Sequence, residues 1–190
     1  MASAKLFSFR RRNSATLRRM KWLLRILSFI VILVVLVFVI GYSIPAHHQL
    51  TRTIDLKQTP AAVFAALADV QKMPEWNHNM EKVEILPPVD GKETTKQTFK
   101  GGMTMTIVTA ESSPPNHLVR AMNDAGGPMT GSWTYEISSA PDGSQVVLTE
   151  EATFQNPVFR LMIKIFGPAK HLDEHLVDLG KHFGETVTPR

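Results

Sequence analysis

The 190-residue chain contains no cysteine. That excludes a disulfide framework, thiolate catalysis and thiolate ligation of a metal. Acidic residues are missing from one end. Residues 1–45 hold eight Lys/Arg (Lys5, Arg10, Arg11, Arg12, Arg18, Arg19, Lys21, Arg25) and no Asp or Glu. The rest of the chain holds 13 Lys/Arg against 17 Asp/Glu, a net of −4, so the whole-chain charge of +4 describes neither part. A basic balance can signal nucleic acid, but here the larger part is mildly acidic and has no basic stripe, so no nucleic-acid partner is expected. A nucleotide fingerprint is also lacking. Gly101-Gly102 and Gly126-Gly127 do not sit between a strand and a helix in a G-x-G-x-x-G pattern, and read as turns. Internal repeats and low-complexity tracts are absent.

What is present begins with an apolar run. Ile26 to Ile44 is broken only by Ser28, Gly41, Tyr42 and Ser43. Its 19 residues just cross a hydrocarbon core of about 30 Å at about 1.5 Å per residue. Trp22 and Tyr42 flank it, where amphipathic aromatics favour the interface. The eight preceding cations outnumber Arg52 and Lys57 just beyond it, which puts the N-terminus inside and the remainder outside. A buried helix of a soluble core would show a polar face, and residues 29–40 show none. A cleaved signal peptide would have a shorter apolar core and a small-residue cleavage site, which Ile44-Pro45-Ala46 matches poorly; Arg18-Arg19 is only a loose twin-arginine signal. The expected organisation is a basic cytoplasmic tail (1–21), a transmembrane signal anchor (22–45) and a domain over 46–190 facing the periplasm or exterior. The absence of cysteine and the N-in anchor suit the inner membrane of a bacterial envelope.

Beyond a short link at Pro45–His48, Leu50–Lys57 reads as a strand with Leu50, Ile54 and Leu56 on one face. Thr59-Pro60 supplies an N-cap and a first-turn proline for a helix whose Val63, Phe64, Leu67 and Val70 recur at helical spacing, ending at Met73–Trp76. Six strand candidates follow: Glu81–Leu86, Thr94–Lys100, Met103–Ala110, Leu118–Asn123, Gly131–Ser139 and Gln145–Phe154. The turn signals between them are Pro87–Gly91, Gly101-Gly102, Pro114–Asn116, Gly126–Pro128 and Pro141–Gly143, the pattern of an antiparallel meander. From Pro157 to Gly184 an apolar stripe (Val158, Leu161, Ile165, Leu172, Leu176, Leu179, Phe183) predicts a long helix, which Gly167-Pro168 must interrupt or kink.

The segments "TPAAVFAALADVQKMPEWN" and "GSWTYEI…DGSQVVLTEEATFQNPVFRLM" resemble the first helix and the last hairpin with closing helix of the START-related, polyketide cyclase-like SRPBCC superfamily. The resemblance covers about residues 48–185. It implies an α+β helix-grip fold: a curved antiparallel sheet of six to seven strands wrapped on a long C-terminal helix, enclosing an apolar cavity. Members include lipid carriers, hydrophobic-ligand binders and cyclases or hydrolases, with no shared catalytic set to carry over.

One acidic residue falls on what should be the buried side. Glu150 is in line with Val146, Leu148, Ala152 and Phe154, and Trp133, Tyr135 and Ile137 alternate on the neighbouring strand. Matching apolar to apolar through a Pro141–Ser144 turn sets Ile137 opposite Leu148, Tyr135 opposite Glu150 and Trp133 opposite Ala152. Tyr135 and Glu150 then form a polar spot on an apolar wall, with Trp133, Met103, Met105, Phe154, Leu172 and Leu176 as the other expected ligand contacts. The competing reading puts Glu150 at the sheet rim, solvated or paired with Arg52, Arg120 or Lys96, and Trp133, Phe154, Met103, Met105 and Ile107 in plain core. His171-Leu172-Asp173-Glu174-His175 matches the H-x-x-E-H zinc-protease pattern, but Glu185 follows too soon to be the further ligand, so no metal, cofactor or catalytic residue is assigned. Solvated histidines bordering the apolar stripe are the simpler reading.

Three functions compete on this basis. One is a membrane-tethered module that holds a lipid or other apolar small molecule. Another is a cyclase- or hydrolase-type enzyme using Glu150 or Tyr135 in proton transfer. The last is a protein-interaction domain with a filled core.

Overall fold

The computed structural model describes the backbone of residues 3–122, 129–167 and 169–190, and the side chains of these apart from 3–17, 19 and 166. The Gly126–Pro128 turn, Asn123 and Pro168 of the sequence reading lie outside the described residues.

Helix α1 runs from Ser3 to Ser43, so the basic segment continues the apolar one as a single helix. Its portion Met20–Ser43, 24 residues, is long and apolar enough to cross a membrane, and none of its most apolar stretch is buried. It is a candidate membrane anchor. Among the described residues seven strands then form one antiparallel sheet in the order β1-β7-β6-β5-β4-β3-β2. They are β1 His47–Leu56, β2 Met80–Val89, β3 Lys92–Phe99, β4 Thr104–Ser113, β5 His117–Met122, β6 Met129–Ala140 and β7 Gly143–Phe154. β1 and β2 are the two edges, and α2 (Pro60–Ala68), a 3-10 turn (Val70–Lys72) and α3 (Met73–Trp76) cross between them. After β7 come α4 (Pro157–Phe166) and α5 (Lys170–His182). This is the α+β helix-grip arrangement, with three local departures from the sequence reading.

The first departure is in the helices. α2 starts as expected, with Thr59 Oγ1 accepting from Ala62 N at 3.3 Å and Pro60 in the first turn. It stops at Ala68, so Met73–Trp76 is a separate turn of helix rather than the end of α2. The long C-terminal helix is likewise two helices. Asn156 caps α4 by accepting from Val158 N at 2.8 Å, and α4 ends where Gly167 adopts φ +84°.

The second departure is at strand boundaries. β2 continues through Pro87-Pro88, which read as a turn; an edge strand tolerates proline because its outward N–H groups need no partner. The turn itself is Asp90-Gly91, both at positive φ. His47 and His48, read as linker, open β1.

The third is register. The β6–β7 turn takes two residues, with Ala140 opposite Gly143, not the four assumed. Every pair shifts by two: Ile137 faces Val146, Tyr135 faces Leu148, and Trp133 faces Glu150. A two-residue shift keeps each side chain on its face, so the inward set is unchanged while the partners differ. Gly143 permits this turn: its φ is +146°, and a Cβ there would lie 2.1 Å from Leu56 O.

The packed core joins α2, α5 and one half of the sheet. Ile54, Leu56, Val63, Phe64, Leu67, Ile137, Val146, Leu148, Leu176 and Leu179 belong to it. Arg52 Nε donates to Asp173 Oδ1 at 2.7 Å, tying α5 to β1, and His78 pairs with the buried Asp178 to fix α5 to the loop after α3.

Candidate functional site: an apolar cavity with two polar fixtures

The packed core fills only one half of the sheet's inner face. The other half, where β1 begins and β7 ends, faces a cavity of about 560 Å³. That is within the usual range for small-molecule sites, about 300–1,000 Å³. Its wall is mostly apolar. Six methionines line it among the described residues: Met73, Met80, Met103, Met105, Met122 and Met129. The unbranched, polarisable thioether adapts to a ligand's shape, so this wall is deformable. Ile107, Trp133, Leu148, Ala152 and Phe154 complete the inner face of the sheet, Leu172 of α5 adds to the wall, and Phe159 and Ile163 of α4 close one side. α4 therefore serves the cavity, not the core.

Glu150 is on this wall and only 4% exposed. Three donors surround its carboxylate. His48 Nε2 lies 3.0 Å from Oε1; Trp133 Nε1 donates to Oε2 at 2.7 Å; His171 Nε2 lies 2.6 Å from Oε2. Burial alone would raise the carboxyl's pKa, but the His171, His48 and Trp133 contacts outweigh it and hold it below its ordinary value. Glu150 is thus a buried anion stabilised by imidazole and indole N–H groups. The pairing weighed from sequence is corrected: Arg52 is taken by Asp173, Arg120 by Glu93, and Lys96 stands exposed.

Tyr135 makes a separate fixture. Its hydroxyl lies 3.0 Å from His175 Nε2, and Asn77 Nδ2 lies 3.1 Å from His175 Nδ1. With the Asn77 amide donating to Nδ1, the ring proton sits on Nε2 and faces the Tyr135 oxygen. Burial, together with the nearby His171 and against the pull of Asp178, pushes the His175 pKa down to about 4. Burial likewise raises the Tyr135 phenol above its usual value, further than Arg120 lowers it. Both groups are neutral at pH 7. The expected Tyr135–Glu150 spot is therefore two spots, one anionic and one neutral, because the register brings Trp133 to Glu150.

The remaining sequence candidates separate cleanly. Met105, Trp133, Phe154 and Leu172 line the cavity. Met103 lines it too, but from the loop before β4, where it is 52% exposed. Leu176 is fully buried in the packed core and does not reach the cavity. Sequence reading missed His48, His171, His175 and Asn77. His48 had a legible signal, since it extends the inward series Leu50, Arg52, Ile54 by one step of two. His171 and His175, read as solvated, instead touch the two fixtures. Arg120 was also missed as a wall residue. It donates through Nη1 to Thr109 Oγ1 at 2.7 Å and through Nη2 to Ala68 O at 3.2 Å, capping the end of α2. Among the described residues no group of three His, Asp or Glu is placed to hold a metal ion.

The model of one protein family, described as polyketide cyclase/dehydrase and lipid transport, matches residues 47–177. The chain belongs to this family. That span begins at β1 and ends within α5, so it contains the whole cavity. Solved structures share the fold at low identity. The di-domain ARO/CYC BexL has a TM-score of 0.59 at 12% identity over 72% of this chain and 50% of BexL. The Zhui aromatase/cyclase from a Streptomyces species gives 0.56 at 17% identity over 70% and 90%. A protein from Rhodobacter sphaeroides gives 0.53 at 18% over 71% and 91%. The chain spans half the length of the di-domain protein, and at such identities the likeness establishes the fold of this family member. Among curated proteins none matches the sequence.

Proposed function

We propose that this family member holds an apolar small molecule or lipid in its cavity, at a membrane to which α1 tethers it, with the domain on the extracytoplasmic side. The observation that carries the reading is the cavity itself: about 560 Å³ walled by methionine and aromatic side chains, with one buried carboxylate and one neutral Tyr–His pair to orient a ligand. A domain serving only as a filled interaction module has no reason to leave half its sheet uncovered. Tethering raises the effective concentration of the domain near lipid-borne ligands. The cation excess on the N-terminal side of the apolar run Ile26–Ile44 supports the outward placement.

Native mass spectrometry of the full chain released from detergent micelles tests this. A reproducible small-molecule adduct on the wild type, absent from an Ala152→Phe variant of equal stability, is the expected result. No adduct on the wild type, together with no uptake of an added pyrene-labelled fatty acid, would refute it.

A second reading rests on one specific contact. A buried, ionised Glu150 touching two imidazoles is also the arrangement of a general base with its proton relay, and aromatase/cyclases share the fold. In that reading Glu150 takes a proton from a bound poly-β-ketone, with Tyr135 polarising a carbonyl. Conversion of such a compound by the wild type but not by Glu150→Gln would favour it over simple binding.

A further inference from the structure

α4 is the element packed against α1, and the two meet closely. A Cβ on Gly41 would lie 2.3 Å from Pro157 O, so glycine is required there for the helices to touch. Arg160 clamps the junction. Its guanidinium donates to Phe154 O at 2.8 Å and Ile44 O at 3.4 Å and lies 5.8 Å from the Tyr42 ring centre. Among the described residues of α1 only Val37 and Gly41, on one face of its last two turns, are not exposed, and Ile44 just beyond it is half-buried. Val37 is six residues before the end of α1 at Ser43, or about 9 Å along the axis at about 1.5 Å per residue. If α1 crosses a bilayer, α4 is drawn to that depth, and amphipathic interfacial helices lie about 5–10 Å into the headgroup–acyl boundary.

The outward face of α4 suits that position. Phe159, Met162 and Ile165 are 43%, 46% and 66% exposed. On a helix they share an arc opposite Arg160 and Lys164. No core claims these side chains, and they point away from the Arg160 side of α4 that touches the end of α1. Phe159 also lines the cavity, together with Ile163 and Gly167. The antiparallel order puts the β3–β4 loop, with exposed Met103, at this same end of the sheet. The cavity and the anchor thus share one end of the molecule, and the packed core occupies the other.

We propose that α4 is a membrane-immersed wall of the cavity. Phe159, Met162 and Ile165 sit in the leaflet that α1 leaves, and the cavity exchanges its apolar ligand with that leaflet through the Phe159 side, not with water. The proposal rests on the anchor and the ligand-binding reading above.

The lack of cysteine makes the test direct, because single-cysteine variants carry a spin label without background. The full chain in phosphatidylcholine/phosphatidylglycerol nanodiscs is labelled at Val31→Cys, Met162→Cys, Ile165→Cys or Asp142→Cys. Collision with oxygen, which concentrates in lipid, is compared with collision with a water-soluble nickel chelate. The expected result is that Met162 and Ile165 labels favour oxygen, as Val31 does, while the Asp142 label in the distal β6–β7 turn favours nickel. If Val31 reads lipid but Met162 and Ile165 read water, the immersion of α4 is overturned and the anchor stands. If Val31 reads water, the anchor itself fails and the proposal with it. For exchange, transfer of a pyrene-labelled fatty acid from vesicles to a Met162→Asp/Ile165→Asp variant should be several-fold slower, with the same amount bound at the end point. Unchanged transfer overturns the exchange route. No uptake by the wild type refutes the binding reading and leaves the depth measurement to decide the docking alone.

Discussion

His175 should make this protein lose stability on mild acidification. Its ring is held between Asn77 and Tyr135, in a place where the neutral form fits and the protonated form does not. Its pKa falls from an ordinary 6.5 to about 4 on folding, chiefly through burial. The sign follows from proton counting. Between these values the unfolded chain binds more protons at this site, so stability is complete above about pH 6.5, declines as pH falls, and is lost in full below about pH 4. The full swing is about 3 kcal/mol at 1.36 kcal/mol per unit. At pH 5 most of it, about 2 kcal/mol, has already gone relative to pH 7. For a chain of this size that is a fall in Tm of about 4–8 °C. His175→Gln keeps an amide between Asn77 and Tyr135 but cannot titrate. The assay is tryptophan-fluorescence melting of the full chain in detergent at pH 7 and pH 5, wild type against variant. The wild type should lose several degrees more than the variant between the two pH values. Equal losses would show that His175 is not the group responsible, and an imidazole that titrates near 6.5 by NMR would refute its confinement.

Other outcomes follow from the same geometry. Glu150→Gln removes the anion to which His48, His171 and Trp133 point, and should cost about 1–3 kcal/mol at pH 7. Because the Glu150 carboxyl is held below its ordinary range, its contribution fades as pH falls through the carboxylate range, so the gap between wild type and variant in urea melts should close in acid. Gly143→Ala forces a side chain onto φ +146° and against Leu56 O, and should lower stability by about 1–3 kcal/mol or more; an unchanged melting curve would contradict the two-residue β6–β7 turn. Leu176→Ala opens a hole in close-packed core and should cost about 2–5 kcal/mol, whereas Leu172→Ala, at the cavity edge, should cost less; the reverse order in urea melts would mean that the cavity is not open space.

Much of this protein could be read from local sequence. The absence of acid before residue 46 and the Ile26–Ile44 apolar run marked the second half of α1 as a candidate membrane span, since that reading needs only length and composition. The Thr59-Pro60 cap fixed where α2 begins, because a cap acts over three residues, and the apolar stripe from Pro157 marked the start of α4. Alternation alone put Glu150 on the inward face with Leu148, Ala152 and Phe154, as all four are buried. Contacts between distant segments were another matter. Trp133 meets Glu150 only because the turn at Pro141 is two residues long, and a two-residue slip leaves the inward pattern unchanged. His48 and His171 reach the same carboxylate from positions 102 and 21 residues away. His175 stays neutral well below an ordinary pKa of 6.5 chiefly because it is buried, which no local pattern reports. The division of one apolar stripe between α4, beside α1 and the cavity, and α5, in the core, depends on the break at Gly167 and on Gly41 admitting Pro157. Helical and strand periods report which face is apolar. What that face meets is set by long-range packing, and here it decided the difference between core and cavity.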